Sequence, residues 1–169
     1  MGLFEEKCEK LKVIVSEIDG IITEHLSPID EMGNVLFKQY YMKDFEAVYE
    51  LKKTFIFVFL TADNAINYNL ARKKNIPLFW SKTKNKRMEL NKILQKYGAS
   101  PEEIMYIGCS FSDLESIEFI PFSVCPADAI SDVQIKSYIT LSTVGGCGVL
   151  CEVYELLNSE IIRRKRLDK

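Results

Sequence analysis

The chain has 169 residues, of which 47% are hydrophobic and 27% charged, a composition that excludes a fibrous or largely disordered protein and favours one globular domain. Its formal net charge of −2 argues against a nucleic-acid partner, and the basic cluster at residues 163–166 predicts only the end of a helix. No apolar run reaches the roughly 18 residues of a membrane span, and the N-terminus lacks a signal-peptide pattern, so we expect a cytoplasmic protein without a membrane partner.

Short apolar runs alternate with helical patterns along the chain, which predicts βα units around a parallel sheet that is covered on both faces. The predicted strands are Val13–Ser16, Phe55–Leu60, Pro77–Trp80, Ile104–Ile107, Phe122–Val124 and Tyr138–Leu141. The predicted helices cover residues 44–53, 64–74, 84–98 and 112–119, a last helix begins near Cys147, and residues 100–103 form a single capped turn.

Residues 23–42 fit neither pattern. Their loose alternation around Gly33 and Asn34 predicts a β-hairpin inserted after the first strand, at about residues 24–42. Open α/β folds bind ligands at the carboxyl edge of the strands, so this insertion is a candidate lid or oligomer contact.

Polar residues follow several of the predicted strands at that same edge. Glu17 and Asp19 follow the first strand, Thr61 and Asp63 the second, and residues 109–113 the fourth, with Lys86 early in a helix between them. Carboxylates would hold Mg²⁺, while a hydroxyl and an ammonium group would bind phosphoryl oxygens. The set therefore predicts phosphate chemistry in which one carboxylate attacks phosphorus.

The order of these motifs resembles the haloacid dehalogenase superfamily, and within it the branch of 3-deoxy-D-manno-octulosonate (KDO) 8-phosphate phosphatases and related sialic-acid-type sugar phosphatases. The resemblance covers about residues 11–157 and rests on Lys86 together with EIDGIIT (17–23), YYMKDF (40–45), FLTADNAINYNLARKKNI (59–76), YIGCSFSD (106–113), PADA (126–129) and GGCG (145–148). It implies one Rossmann-like α/β domain over residues 1–169, with the last helix and a basic tail at 147–169. It also implies Mg²⁺, an aspartyl-phosphate intermediate, and a homotetramer whose hairpins help to complete neighbouring sites.

The resemblance assigns a role to each site residue. The catalytic positions are Glu17, as the nucleophile, and Asp19, as the general acid and base. The phosphate-binding or substrate-binding positions are Thr61, Ala62 and Lys86, and the metal positions are Glu17, Asp19 and Asp113, with a further family acid at position 109.

Several residues depart from the family pattern. Glu17 replaces Asp, and its extra methylene shifts the attacking oxygen by about 1 Å, which can cost on the order of a hundredfold in rate. Cys109 and Ser110 replace two adjacent Asp residues, and since Mg²⁺ prefers oxygen ligands we expect the metal site to be weakened or lost. Asp63 replaces an Arg that would face an anionic substrate, so that an attraction becomes a repulsion.

The five cysteines contain no CxxC pair, which predicts reduced thiols rather than disulfides or a zinc-thiolate site. Cys147 and Cys151, the latter in place of a family Arg, are four residues apart and are expected to pack in the core. Cys109 has a second interpretation as a nucleophile with a pKa lowered by Lys86, but we expect no histidine to be able to act as its base. The single histidine, His25, is expected to be an ordinary polar residue after the first strand.

Two functions follow. The first is a degenerate phosphatase homologue, weak or inactive, that serves as an oligomeric binding or structural module in sugar-acid metabolism. It would bind a sugar-acid phosphate or a nucleotide-sugar pathway protein, as the phosphatase-like domains of sialic-acid cytidylyltransferases suggest. The alternative is an active Mg²⁺-dependent phosphatase of a 2-keto-3-deoxy sugar acid phosphate such as KDO 8-phosphate. The residues at positions 17 and 109 favour the first function.

Overall fold

The sheet is six-stranded and parallel throughout in the computed structural model, which describes residues 2–62, 65–83 and 85–167. Its strands are β1 (Val13–Ser16), β2 (Ile56–Thr61), β3 (Leu78–Trp80), β4 (Ile104–Ile107), β5 (Phe122–Cys125) and β6 (Ile139–Thr140), in the order β3-β2-β1-β4-β5-β6. The predicted strands are therefore confirmed to within one residue at each end. The apolar side chains of the central strands are buried on both faces, which is why each of these sequences is a continuous apolar run.

Seven α-helices flank the sheet within the described residues: α1 (Leu3–Lys10), α2 (Met42–Leu51), α3 (Ala65–Lys73), α4 (Lys86–Tyr97), α5 (Leu114–Phe119), α6 (Ser131–Lys136) and α7 (Val149–Leu167). Two 3₁₀ turns lie at Pro101–Glu103 and Phe111–Asp113. The predictions missed α1 and α6, because each buries a single side chain and so has no apolar stripe. None of the helices that the structure describes combines the length and the apolar character needed to cross a membrane.

Local signals explain where α4 begins and ends. The Asn85 side chain accepts a hydrogen bond from the Arg87 backbone N–H, which caps the first turn. Gly98 ends the helix with a φ of +58°, a left-handed conformation that glycine adopts without strain. The predicted capped turn is confirmed too, since the Ser100 N–H donates to the Glu103 carboxylate at 2.9 Å.

The insertion after β1, residues 24–41, is called the arm below. It reverses direction where predicted, because the Asp30 carboxylate accepts the backbone N–H groups of Met32 and Asn34. Its two sides meet through one antiparallel bridge, Ile29 with Val35, rather than through a hairpin ladder. Pro28 limits the pairing because it has no N–H to donate.

The sheet order positions the site. β1 is central and pairs with both β2 and β4, so that Ser16 is in register with Phe59 on one side and with Ile107 on the other. The loops that follow these three strands therefore emerge side by side at one edge.

Candidate active site

A buried lysine links two carboxylates at the centre of this edge. Lys86 lies in the first turn of α4, and its side chain is only 1% exposed. Its Nζ contacts the Glu17 carboxylate and lies 2.7 Å from Asp113 Oδ1. The other Glu17 oxygen accepts the Ile18 N–H at 2.8 Å. A buried charge is stable only with partners of opposite charge, and here the Lys86 ammonium forms ion pairs with both acids.

Asp113 is the most heavily hydrogen-bonded group of the site. Besides Lys86, it accepts the Tyr106 hydroxyl at 2.7 Å, the backbone N–H groups of Cys109 and Ser110 at 2.9 and 3.0 Å, and the Ser110 hydroxyl at 3.0 Å. The two oxygens of Asp113 therefore accept five hydrogen bonds from the described residues, counting the one from Lys86.

The two acids respond to burial in opposite directions. Burial raises the pKa of Glu17, and the Lys86 charge offsets this only in part. Burial also raises the pKa of Asp113, but the Lys86 charge and the donors around the carboxylate outweigh it, so that the net pKa is lowered. Glu17 is therefore the acid that takes up a proton first, while Asp113 remains ionised.

A second cluster joins the arm to the crevice. The Lys38 Nζ donates to both carboxylate oxygens of Asp19, at 2.9 and 3.0 Å, and its side chain is only 5% exposed. The Asn67 amide N–H donates to Asp19 Oδ2 at 2.8 Å and to the Thr61 hydroxyl at 3.1 Å. Neither Lys38 nor Asn67 was predicted as a site residue. Of the two, only the burial of Asn67 could have been predicted from the sequence, because Asn67 lies four residues before the buried Ala71 on the same face of α3.

The third cluster lies at position 109. The Cys109 Sγ is 3.4 Å from the main-chain oxygen of Asp19 and 3.4 Å from His25 Nε2, and this nitrogen is 3.1 Å from the same oxygen. His25 is an exposed polar residue after β1, as expected, but its contact with Cys109 contradicts the expectation that no histidine could act as a base for this thiol. The alternative in which Lys86 lowers the pKa of Cys109 is wrong: burial raises this pKa, and the charges of Asp113 and Glu17 raise it further.

The chain resembles curated KDO 8-phosphate phosphatases. It is 24% identical over 157 residues to the enzyme of Haemophilus influenzae, covering 90% of this chain and 86% of the relative, and 23% identical over 173 residues to that of Escherichia coli, covering 96% and 86%. No family model matches the chain.

Solved structures reproduce the fold closely. A KDO 8-phosphate phosphatase of Moraxella catarrhalis, in complex with magnesium, phosphate and KDO, has a TM-score of 0.84 at 21% identity and covers 93% of this chain and 91% of its own. A putative haloacid dehalogenase superfamily hydrolase of Legionella pneumophila has a TM-score of 0.85 at 23% identity, covering 99% and 94%. This chain has the haloacid dehalogenase fold. The predicted similarity to sialic-acid cytidylyltransferase domains stays a prediction.

The haloacid dehalogenase fold brings the predicted site residues to one edge, while their roles stay predictions. Thr61, at the end of β2, is buried. Ala62 is half-buried, and its carbonyl oxygen accepts the Trp80 indole N–H at 3.3 Å. Asp63, expected to repel an anionic substrate, lies outside the described residues, as do the helix positions Asn64 and Lys84.

The two C-terminal cysteines differ from each other. Cys151 is half-buried in α7 and packs against the core, as expected. Cys147 is exposed, so its predicted place in the core is wrong. The reason is that α7 begins at Val149, which leaves Cys147 in the loop before the helix.

The donor atoms do not fit the magnesium ion that the haloacid dehalogenase fold implies. Mg²⁺ requires a near-octahedral set of hard oxygen ligands. Position 109 offers a neutral sulfur instead, and Asp113 and Glu17 already share Lys86. No group of three or more His, Cys, Asp or Glu side chains that could hold a metal occurs among residues 2–62, 65–83 and 85–167.

Proposed function

We propose that this protein is a phosphatase homologue of the haloacid dehalogenase type that binds a sugar-acid phosphate, such as KDO 8-phosphate, and hydrolyses it weakly or not at all with Mg²⁺. The observation that carries the proposal is the Cys109 sulfur, 3.4 Å from the main-chain oxygen of Asp19. Because its pKa is raised, the thiol is neutral at physiological pH and supplies neither negative charge nor hard oxygen to a magnesium ion.

The pairing of Asp19 with Lys38 supports low turnover. A general acid must carry a proton and deliver it to the leaving group. Both carboxylate oxygens of Asp19 accept hydrogen bonds from the Lys38 ammonium, and Oδ2 also accepts one from Asn67. Both oxygens of the proposed acid are therefore occupied as acceptors, and Lys38 and Asn67 would have to move before Asp19 could contact a leaving group.

The ligand class is supported by the relatives, whose curated activity is the hydrolysis of KDO 8-phosphate. Thr61 ends β2 and Lys86 begins α4, at the positions where the resemblance puts phosphate-binding groups. Two ammonium groups offset the carboxylates of the crevice: Lys38 pairs with Asp19, and Lys86 pairs with both Glu17 and Asp113. These two cations reduce the repulsion that the acids alone would exert on a phosphate.

The decisive experiment measures phosphate release from KDO 8-phosphate with Mg²⁺. The native chain is compared with the double variant Glu17→Asp/Cys109→Asp, and Glu155→Asp/Cys147→Asp makes the same chemical changes at exposed positions as a control. We expect release near background from the native chain and the control, and a gain on the order of a hundredfold in the double variant. Rapid release by the native chain would establish the alternative function, an active phosphatase.

We also propose that the chain forms a homotetramer through the arm. The arm exposes several large apolar side chains, namely Leu26, Ile29, Met32, Leu36 and Phe37. Several exposed apolar side chains within one segment are typical of a protein interface. Because Lys38 of the same arm contacts Asp19, association and the state of the crevice would be linked.

A further inference from the structure

The Lys38 ammonium group is held in the crevice by side chains from two other parts of the chain. Its Nζ lies 2.9 and 3.0 Å from the two carboxylate oxygens of Asp19, after β1, and 3.3 Å from the amide oxygen of Asn67, in α3. Asn67 is fully buried, and the Lys38 side chain is only 5% exposed. A buried cation is stable only while such partners surround it. The arm therefore delivers a positive charge to a defined place beside Asp19.

Asn67 connects this ammonium group to the predicted phosphate-binding hydroxyl. Its amide N–H groups donate to Thr61 Oγ1 at 3.1 Å and to Asp19 Oδ2 at 2.8 Å. Its amide oxygen accepts from Lys38 and, at 3.4 Å, from the Tyr40 hydroxyl. Because both ends of the planar amide are engaged, Lys38 and Thr61 are held at a fixed separation across it. The positive charge of the arm therefore lies one side chain away from the proposed phosphate position.

All three carboxylates that were predicted to bind Mg²⁺ contact a lysine of the protein. Asp19 contacts the Lys38 ammonium. Glu17 and Asp113 both contact Lys86, whose side chain is only 1% exposed. A lysine and a divalent ion act on a phosphoryl group in the same way, because each places positive charge near its oxygens. The crevice therefore has a cation of its own next to each of these three acids.

We propose that Lys38 and Lys86 take the place of a divalent cation, so that this protein binds its sugar-acid phosphate without a metal ion. This mode of binding rests on the proposed function and specifies which groups meet the negative charge of the phosphate. Both ammonium groups donate N–H to phosphoryl oxygens, and no covalent bond forms or breaks. A divalent ion gains little at Asp19, because it has to displace the Lys38 ammonium from the same carboxylate oxygens.

Calorimetric titration of the native chain with KDO 8-phosphate, first in EDTA and then in excess Mg²⁺, tests whether binding needs a metal. We expect the two dissociation constants to agree within about twofold, because the cations that meet the phosphate belong to the chain. Binding that appears only with Mg²⁺, or that Mg²⁺ tightens by about tenfold or more, would overturn metal-free binding and leave the proposed ligand intact. Absence of binding under both conditions would refute the proposed ligand as well, so the two failures are distinguishable.

Variants of Lys38 test whether the arm supplies the cation. Lys38→Met removes the charge and keeps a long apolar stem, and it should weaken binding in EDTA by about tenfold or more. Lys38→Arg keeps the charge and should restore at least part of the lost affinity. The matched control is Lys92→Met, because Lys92 is exposed in α4 and pairs with Glu89, and it should keep the native dissociation constant. Native affinity in folded Lys38→Met protein would contradict the assignment.

A double variant separates contact with the phosphate from neutralisation of Asp19. Lys38→Met leaves the Asp19 carboxylate without this partner, which can cost stability, whereas Lys38→Met/Asp19→Asn removes both charges of the ion pair. Circular dichroism verifies that each variant is folded. The double variant should still bind about tenfold more weakly than the native chain in EDTA, because the ammonium that meets the phosphate is lost. Native affinity in the folded double variant would show that Lys38 only neutralises Asp19, and would overturn its place as the cation.

Discussion

Gly20 determines how closely the loop after β1 can approach position 109. Its φ is +77°, and a Cβ at this position would lie 2.0 Å from His25 Nε2 and 2.7 Å from the Cys109 Sγ. Gly33 in the arm has a similar φ of +83°, but a Cβ added there would meet no atom within 4 Å. A side chain at either position would therefore strain the backbone, but only at Gly20 would it also overlap with neighbouring atoms.

We predict that Gly20→Ala destabilises the protein by about 1–3 kcal/mol more than Gly33→Ala does, because only the former adds an overpacked contact to the left-handed φ. Urea unfolding followed by circular dichroism measures both free energies of unfolding. Equal losses in the two variants would mean that His25 and Cys109 move aside at little cost.

The site residues divide into those that sequence could predict and those that it could not. Glu17, Thr61 and Lys86 could be placed because each follows or adjoins a strand whose apolar run fixes its end. Lys38 and His25 could not, because their positions depend on how the arm folds back over the sheet, and no local pattern encodes that path. His25 shows the consequence most clearly, since its contact with Cys109 joins residues that are 84 positions apart.

At the level of elements, α2 and α7 meet around the buried carboxylate of Asp44. Asp44 is fully buried; its Oδ1 accepts the Cys151 N–H at 3.0 Å, while its Oδ2 has no hydrogen-bond partner among the described residues. Burial raises the pKa of Asp44 to about 6. Cys151, whose N–H makes this hydrogen bond, stands where the resemblance has an Arg.

We predict that Asp44 makes stability depend on pH and that Asp44→Asn removes this dependence. The folded-state pKa, about 6, lies above the roughly 3.9 of an unfolded Asp, so the folded state binds the proton more tightly. The contribution of Asp44 to stability is therefore complete below pH 4 and is lost as the pH rises through 6.

Thermal unfolding of the native chain and of Asp44→Asn between pH 4 and pH 8 tests this prediction. The native melting temperature should fall relative to that of the variant as the pH rises. The matched control is Asp132→Asn, the same change at an exposed position in the first turn of α6, and it should follow the native curve in this interval. Parallel curves for native and Asp44→Asn would show that the carboxyl group keeps its ordinary pKa.

Helices and strands could be predicted from the sequence where burial of one or both faces produces a pattern of apolar residues. β1 and β4, in which every residue is buried, were predicted with their observed ends. α1 was missed because its sequence is mostly charged and buries only Cys8. Long-range contacts hold it instead: the Arg164 guanidinium of α7 donates to the carbonyl oxygens of Cys8 and Leu11, at the end of α1.

At the level of the whole molecule, the arm has one end buried in the crevice and an apolar tip exposed to solvent. Its Lys38 is buried against Asp19, yet Met32 at its tip is 83% exposed, together with the apolar side chains around it. An isolated chain gains nothing from presenting this surface to water. A second copy that covers it would stabilise the arm and, through Lys38, the ion pair in the crevice.

We predict that the native chain associates and that Leu36→Asp/Phe37→Asp abolishes association, because two buried charges at an apolar interface are strongly unfavourable. Light scattering coupled to size-exclusion chromatography measures the mass, which should be four times that of the 19.5 kDa chain for the native protein and one times for the variant. Ile135→Asp is the matched control, because Ile135 is 80% exposed on α6, outside the arm, and should leave the mass unchanged. A monomeric native chain at micromolar concentration, or a variant of unchanged mass, would remove the arm as the interface.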